Sequence, residues 1–273
     1  MALIARSLSF AYDEGTSVAT PVLAAVNLTV ERGETVVCVG ATGSGKSTLL
    51  RLCAGLLEPT AGEVAVDDAP ALARGTVGIV FQNPESQLFA ETVAADVAFG
   101  PRNLGIPDVE VAVADALNAV GLDAAAFSDR SPFTLSGGEA RRVAIAGVLA
   151  MRTPYLLLDE PTAGLDSHGR RAVLEAIRRT SAHTGILVVT HDAEEFLPWV
   201  DRVIALHEGR VLFEGAPAAL AEEPALWAGA GLALPQLVLA QHLARQRGVH
   251  MPTIALDVEG AARALAAGKA EGQ

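Results

Sequence analysis

The apolar positions of the chain change period several times, and each change marks an expected element. From Leu3 to Tyr12, and again from Val22 to Val30, they alternate loosely with polar ones, as half-buried strands do. Glu31-Arg32-Gly33-Glu34 reads as a turn. Thr35 to Val39 is then a continuous apolar run, the pattern of a parallel strand covered on both faces. A helix is expected over Thr48 to Leu57, with β segments at Glu63 to Val66 and Val77 to Phe81. From about Glu91 to Leu149 the spacing turns helical, most clearly over Asp108 to Val120. Beyond it lie an apolar run Tyr155 to Leu158, a helix Gly169 to Arg179, and strands at Ile186 to Val189 and Val203 to Leu206. Buried strands alternating with helices predict an α/β fold on a parallel sheet. The β-rich start and the helical insert would be two smaller lobes on that sheet. After Gly215 the composition shifts to Ala, Leu and Pro, and Ala216 to Gln273 reads as an appendage of short helices with a frayed end.

Composition narrows the class. With 273 residues the chain can form one large domain or a domain plus an appendage. The hydrophobic fraction is 51%, much of it alanine, and mean hydropathy is +0.35. No stretch approaches the roughly 18 to 20 unbroken apolar residues of a membrane-spanning helix. The longest apolar window, Pro224 to Pro235, is short and broken by glycines. Arg6 and Ser7 interrupt the only apolar start, so no signal peptide is expected. These features predict a soluble, cytoplasmic chain. A net charge of −12 argues against general binding to nucleic acid or anionic membrane, since both require a basic face. Basic clusters are small: Arg141-Arg142, Arg170-Arg171 and Arg178-Arg179. Cys38 and Cys53 are too few for a disulfide framework and are expected to be reduced core residues.

The first chemical motif is Gly40-Ala41-Thr42-Gly43-Ser44-Gly45-Lys46-Ser47-Thr48, placed between an apolar strand and a helix. Gly40, Gly43 and Gly45 let backbone N–H groups point inward at phosphates, Ser44 and Thr48 complete the loop, and the following helix adds its positive end. Lys46 would reach the β- and γ-phosphates, and Ser47 would hold Mg²⁺. The second motif is Tyr155-Leu156-Leu157-Leu158-Asp159-Glu160, an apolar strand tipped by two carboxylates. Asp159 is placed to hold Mg²⁺ opposite Ser47, and Glu160 to polarise an attacking water as general base.

The third motif makes a family visible. Leu135-Ser136-Gly137-Gly138-Glu139, ahead of a helix over Ala140 to Met151, resembles the signature of ATP-binding-cassette (ABC) ATPases. The resemblance covers roughly residues 3 to 213. It implies a P-loop NTPase fold: a RecA-like parallel sheet with an antiparallel β lobe and a helical signature subdomain, about 88–152, within residues 1–214. A short C-terminal extension, 215–273, would be a possible dimerisation element. The signature would bind the γ-phosphate of the nucleotide held by a partner subunit, with Ser136 and the Gly138 backbone at a helix N-terminus; a plain serine cap is the alternative. The fifth signature position commonly carries Gln and here is Glu139, which suits the helix dipole but adds negative charge near a phosphate. By the same resemblance Gln82 would contact Mg²⁺ and water and link to the membrane partner. Asp166 of Ala163-Gly164-Leu165-Asp166 would communicate between sites, and His191 would be the switch histidine at the γ-phosphate. Tyr12 would stack on adenine, unless it is simply a half-buried strand aromatic.

Phe81-Gln82-Asn83-Pro84-Glu85-Ser86-Gln87-Leu88-Phe89, continuing to Pro101, resembles the ATPase subunits of energy-coupling-factor transporters, which import vitamins and transition-metal ions. That branch implies ATP and Mg²⁺ as cofactors. Its implied partners are a second ATPase subunit, identical or related, an integral membrane subunit and a substrate-capture subunit, at the cytoplasmic face of the membrane. The partner groove would be lined by the Gln82 to Pro101 region, with Leu88, Phe89 and Phe99 as apolar anchors. Leu237, Ala240, Leu243 and Ala244 fall at helical spacing and fit either a dimer contact or an intramolecular core. A conventional importer or exporter ATPase is the neighbouring alternative. A soluble cassette acting on nucleic acid or ribosomes would call for a basic face, long coiled-coil inserts or a second cassette, none of which the sequence carries.

Overall fold

The computed structural model of the chain describes residues 1–15, 18–67 and 75–270. Nine strands among the described residues form two sheets. The smaller sheet joins β1 (Ala2–Tyr12), β2 (Thr20–Glu31) and β4 (Ala61–Val66) antiparallel in the order β2-β1-β4. The larger holds β3 (Thr35–Val39), β5 (Val77–Val80), β6 (Tyr155–Asp159), β7 (Gly185–Thr190), β8 (Arg202–His207) and β9 (Arg210–Gly215). Its order is β5-β6-β7-β3-β8-β9, parallel except for the last pair. β9 is the strand that sequence pattern missed; its apolar residues Val211, Leu212 and Phe213 run together without alternation, and in the fold it is an edge strand of exposed and half-buried residues.

Every residue of β3, β6 and β7 is buried, which accounts for their unbroken apolar runs. Alternate side chains feed different cores. Val37, Val39, Leu156, Leu158 and Val188 join one with the helices α2 (Val93–Leu104), α3 (Val109–Ala119), α5 (Gly137–Ala150) and α6 (Ser167–Ser181). Val36, Cys38, Leu157, Leu187 and Val189 face the antiparallel lobe and α1 (Lys46–Cys53) on the other. Both cysteines are free and buried, and burial pushes each thiol up to about 12, so neither is a nucleophile. A short helix α4 (Ala124–Phe127) completes the helical insert.

Two expected elements change. The helix expected over Thr48 to Leu57 starts earlier, at Lys46, and stops at Cys53, because Gly55 takes a left-handed φ of 69° and ends it. In the appendage, α7 (Pro217–Glu222), α8 (Pro224–Gly229), α9 (Gln236–Gln246) and α10 (Val258–Ala270) follow β9. Here α9 buries Val238 and Gln241, so of the two alternatives for the Leu237, Ala240, Leu243, Ala244 stripe the intramolecular core is not formed: Ala240 and Leu243 are exposed and the other two half-buried. Gln241 explains the shift, since its amide is held by Leu237 O and by Ala255 N–H and C=O. Residues 271–273 of the expected extension lie outside the described residues. No helix among the described residues is long and apolar enough to cross a membrane.

Candidate active site

The phosphate-loop residues leave the C-terminal end of β3, where the strand order places β7 on one side and β8 on the other; ligands of open α/β sheets bind at such points. Two glycines are obligatory. A Cβ on Gly40 would lie 2.3 Å from the Leu206 carbonyl oxygen, and Gly45, at φ 103°, would put one 2.7 Å from Leu23 Cδ2. Lys46 is buried, and its Nζ donates to the carbonyls of Gly40 at 2.7 Å and Ala41 at 3.0 Å. Burial lowers its ammonium pKa, opposed by Cys38, Glu160 and Asp159. The loop is also tied to the appendage: the Ala41 N–H donates to the Ala230 carbonyl at 3.2 Å.

An open cleft of about 470 Å³ runs over this loop, lined by Tyr12, Thr20, Val22, Thr42, Gly43, Gly45, Lys46, Ser47, Thr48, Gln82, Asp159, Glu160 and His191. Four separate sequence motifs therefore meet on one surface. Tyr12 stands at the rim, 38% exposed, with its hydroxyl 3.4 Å from Thr48 Oγ1 and its ring edge-on to Phe10. Asp159 ends β6; burial raises its pKa first of all, with a hydrogen bond from Ser47 and the charges of Arg51 and Lys46 opposing. Glu160 follows in a left-handed backbone, φ 49°. Its Oε2 accepts from Thr190 Oγ1 at 2.7 Å, and its Oε1 accepts the His191 N–H at 2.8 Å and lies 2.7 Å from His191 Nδ1.

The donor set fits a triphosphate and a hard divalent cation. Gly43 and Gly45 hold positive φ on either side of Ser44 and line the cleft with Lys46, as a loop that turns backbone N–H groups toward phosphates does, whereas Ser44 itself does not line it; its Oγ is buried with no hydrogen-bond partner among the described residues. Ser47 hydroxyl, Asp159 carboxylate and Gln82 amide supply the oxygen ligands such a cation prefers.

The signature residues Leu135, Ser136, Gly137, Gly138 and Glu139 do not line this cleft, and Ser136 and Gly137 are exposed. Ser136 caps α5 in a capping box: it donates to Glu139 Oε2 at 2.8 Å and accepts the Glu139 N–H at 3.3 Å. Those bonds, with Arg130 3.4 Å away, lower the Glu139 pKa. Asp166 lies outside the cleft too and caps α6 through Gly169 N–H at 2.7 Å. Of the expected partner anchors, Phe89 and Phe99 are 59% and 54% exposed and stack edge-to-face at 4.9 Å. Leu88 is instead half-buried against the core. Two residues that hold Glu160 had no role assigned from the sequence: Thr190, a strand-end hydroxyl with no distinctive spacing, and Arg141, which lies in a small basic cluster on the helix after the signature.

A P-loop at a strand switch point, facing a carboxylate-tipped strand and a histidine-tipped one, defines a nucleotide-hydrolysing cassette. Comparison with known proteins gives its family. A family model for ABC transporters matches residues 23–163. The chain is 45% identical over 277 residues to the energy-coupling factor transporter ATP-binding protein EcfA2 of Symbiobacterium thermophilum, covering 97% of this chain and 96% of that one. It is 42% identical to EcfA1 of Caldanaerobacter subterraneus subsp. tengcongensis, over 93% and 95% of the two chains. Among solved structures it resembles cbiO1 from Clostridium perfringens, part of the ABC transporter complex cbiONQ, with TM-score 0.71 at 33% identity over 88% of this chain and 98% of that one. It also resembles a dimeric ATP-binding cassette in a post-hydrolysis state bound to ADP and Pi, with TM-score 0.70 at 29% identity over 80% and 99%. The chain belongs to the ABC transporter family and, within it, to the ATP-binding proteins of energy-coupling factor transporters, and it is an ATPase.

Proposed function

We propose that this chain pairs with a second ATPase subunit, identical or related, so that two ATP molecules are clamped between them. Closure and hydrolysis then power uptake of a micronutrient, a vitamin or transition-metal ion, through an integral membrane subunit and a substrate-capture subunit. One observation carries this reading: Lys46, Asp159, Glu160 and His191 share a cleft from which Ser136 of the same chain is absent, while Ser136 is exposed at the N-terminus of α5. A helix N-terminus that faces solvent favours an anion, and since this one lies outside its own chain's cleft, it supports completion by a second molecule.

In this reading Lys46, the loop N–H groups and Ser44 hold the phosphates, and Tyr12 stacks on the adenine. Ser47, Asp159 and Gln82 hold Mg²⁺, which supplies charge neutralisation on the transferring phosphoryl group. Glu160 takes a proton from the attacking water, His191 orients Glu160 and contacts the γ-phosphate, and Asp166 links the two sites. The exposed Phe89 and Phe99 pair meets the membrane subunit at the cytoplasmic face of the membrane. Residues 1–214, with a helical subdomain at about 88–152, form the cassette, and 215–273 an extension that contributes to dimerisation.

The test uses full-length Glu160→Gln protein with Mg-ATP, alone and co-expressed with a related ATPase, sized by chromatography with light scattering. A nucleotide-dependent pair is expected. Adding Ser136→Arg should leave ATP bound but keep the chains apart. Pairing that survives Ser136→Arg sinks the trans arrangement.

A further inference from the structure

Among the described residues the buried charged side chains are Lys46, Arg141, Asp159 and Glu160, and of these only Arg141 lies outside the cleft. It projects from the second turn of α5 between two segments that the proposed mechanism uses separately. On one side its Nη2 donates to the Glu160 carbonyl oxygen at 2.6 Å. On the other its Nη1 stands 3.7 Å from Glu85 Oε2, a charge contact too long for a hydrogen bond. The Glu85 end of that contact is unfinished, because Glu85 Oε2 is buried with no hydrogen-bond partner among the described residues, and the neighbouring Arg141 Nε is unpaired as well. An unmade buried hydrogen bond to a charged group is costly, so an approach of about 1 Å by Glu85 would be favoured.

What Arg141 holds on each side gives the contact its meaning. Glu85 sits in the 3-10 turn Pro84–Gln87, whose Pro84 is buried while Ser86 and Gln87 are exposed beside Phe89. A partner seated on Phe89 would press on the outer face of this turn, and Glu85 is on its inner face. Glu160 keeps its left-handed backbone because both of its peptide groups are fixed, by N–H donation to Val189 O at 2.9 Å and, at its carbonyl, by Arg141 at 2.6 Å together with the Ala163 N–H at 3.2 Å. Backbone in that region persists only where the surroundings over-determine it. A pull on the carbonyl therefore re-aims the carboxylate that Thr190 and His191 hold.

We infer that Arg141 is a positioning residue that carries displacement of the Pro84–Gln87 turn to the Glu160 backbone, so that seating of the membrane subunit sets the rate of hydrolysis. This deepens the proposed function, since it rests on Glu160 being the base and on the Phe89 face meeting the membrane subunit.

The experiment measures ATP affinity, kcat and KM on the full chain co-purified with its membrane subunits. Arg141→Met should leave ATP affinity within about twofold and lower kcat by about 10- to 100-fold, the scale of a displaced catalytic group. Arg141→Lys keeps the charge but loses the planar fork and should restore part of the rate. Glu85→Gln, at a half-exposed side chain that folding tolerates, should lower kcat less. The double variant Arg141→Met with Glu85→Gln should be no slower than Arg141→Met alone, as expected for residues acting through one contact. Additive losses, or a folded Arg141→Met with normal kcat, overturn the inference. Glu160→Gln, run beside them, separates the two levels: normal turnover there refutes the assignment of the base, whereas slow Glu160→Gln with normal Arg141→Met refutes only the coupling.

Discussion

The Oε1 oxygen of Glu160 accepts the backbone N–H of His191 at 2.8 Å and lies 2.7 Å from that residue's Nδ1, so one histidine fixes the carboxylate twice. The other oxygen is fixed by Thr190. A base held this way spends no reorganisation when a water must lose its proton. Glu160→Gln should keep ATP bound while slowing turnover by about 10² to 10⁴. Thr190→Val, which removes the hydroxyl at nearly constant volume, should lower kcat with KM little changed. Steady-state hydrolysis beside a nucleotide-binding titration checks both, and a Thr190→Val defect confined to KM would contradict the orienting role.

Asp159 is charged at a cost. Burial raises its pKa, so its protonated form favours the fold. That contribution is fully present below the ordinary carboxylate range and is lost as pH rises through the raised native value. Asp159→Asn should therefore stabilise the nucleotide-free chain at pH 7, by about 2–4 °C in thermal midpoint for a gain near 1 kcal/mol. The advantage over the unsubstituted chain should shrink as the melts are moved from pH 7 toward pH 4. Hydrolysis should be lost in the same variant, because an amide is a poor substitute for a carboxylate at a divalent cation.

Of the three anchors expected from sequence, the outward pair Phe89 and Phe99 is the target, since Leu88 packs on the core. Phe89→Ser with Phe99→Ser should abolish co-purification of the membrane subunit and leave ATP binding intact. Retained co-purification would place the membrane subunit elsewhere.

Glu139 supports its own helix through the capping box, and its lowered pKa means that this support is present above the usual glutamate range and lost as pH falls through the depressed value. Glu139→Ala should lower the thermal midpoint at neutral pH by about 2–4 °C for a loss near 1 kcal/mol. In acid the two proteins should melt together. A deficit that persists below the carboxylate's titration would assign the effect to packing instead.

What the sequence disclosed was whatever one element encodes by itself. The buried runs at Thr35 to Val39 and Tyr155 to Leu158 announced the central strands, and the Gly40 to Thr48 spacing announced the phosphate loop. The cleft then gathered Tyr12, Gln82, Asp159, Glu160 and His191 as read. What stayed hidden depended on pairs of distant residues. Periodicity on α9 favoured Leu237 and Leu243, yet Gln241 won the buried position because Ala255, reached only by folding, satisfies its amide. Arg141 stood out only as one of a small basic cluster, since Glu160 and Glu85, which close around it, come from other segments. β9 had too little apolar contrast to be seen before β8 gave it a partner.

The Ala41 amide that answers to the Ala230 carbonyl belongs to the second residue of the phosphate loop. The tail, whose Trp227 and Ala230 pack in the main core, thus reaches the phosphate loop directly, and whatever lifts it, whether a protease cutting beyond Gly215 or a neighbour's tail docking on α9, acts on that loop through one turn of chain without crossing the sheet.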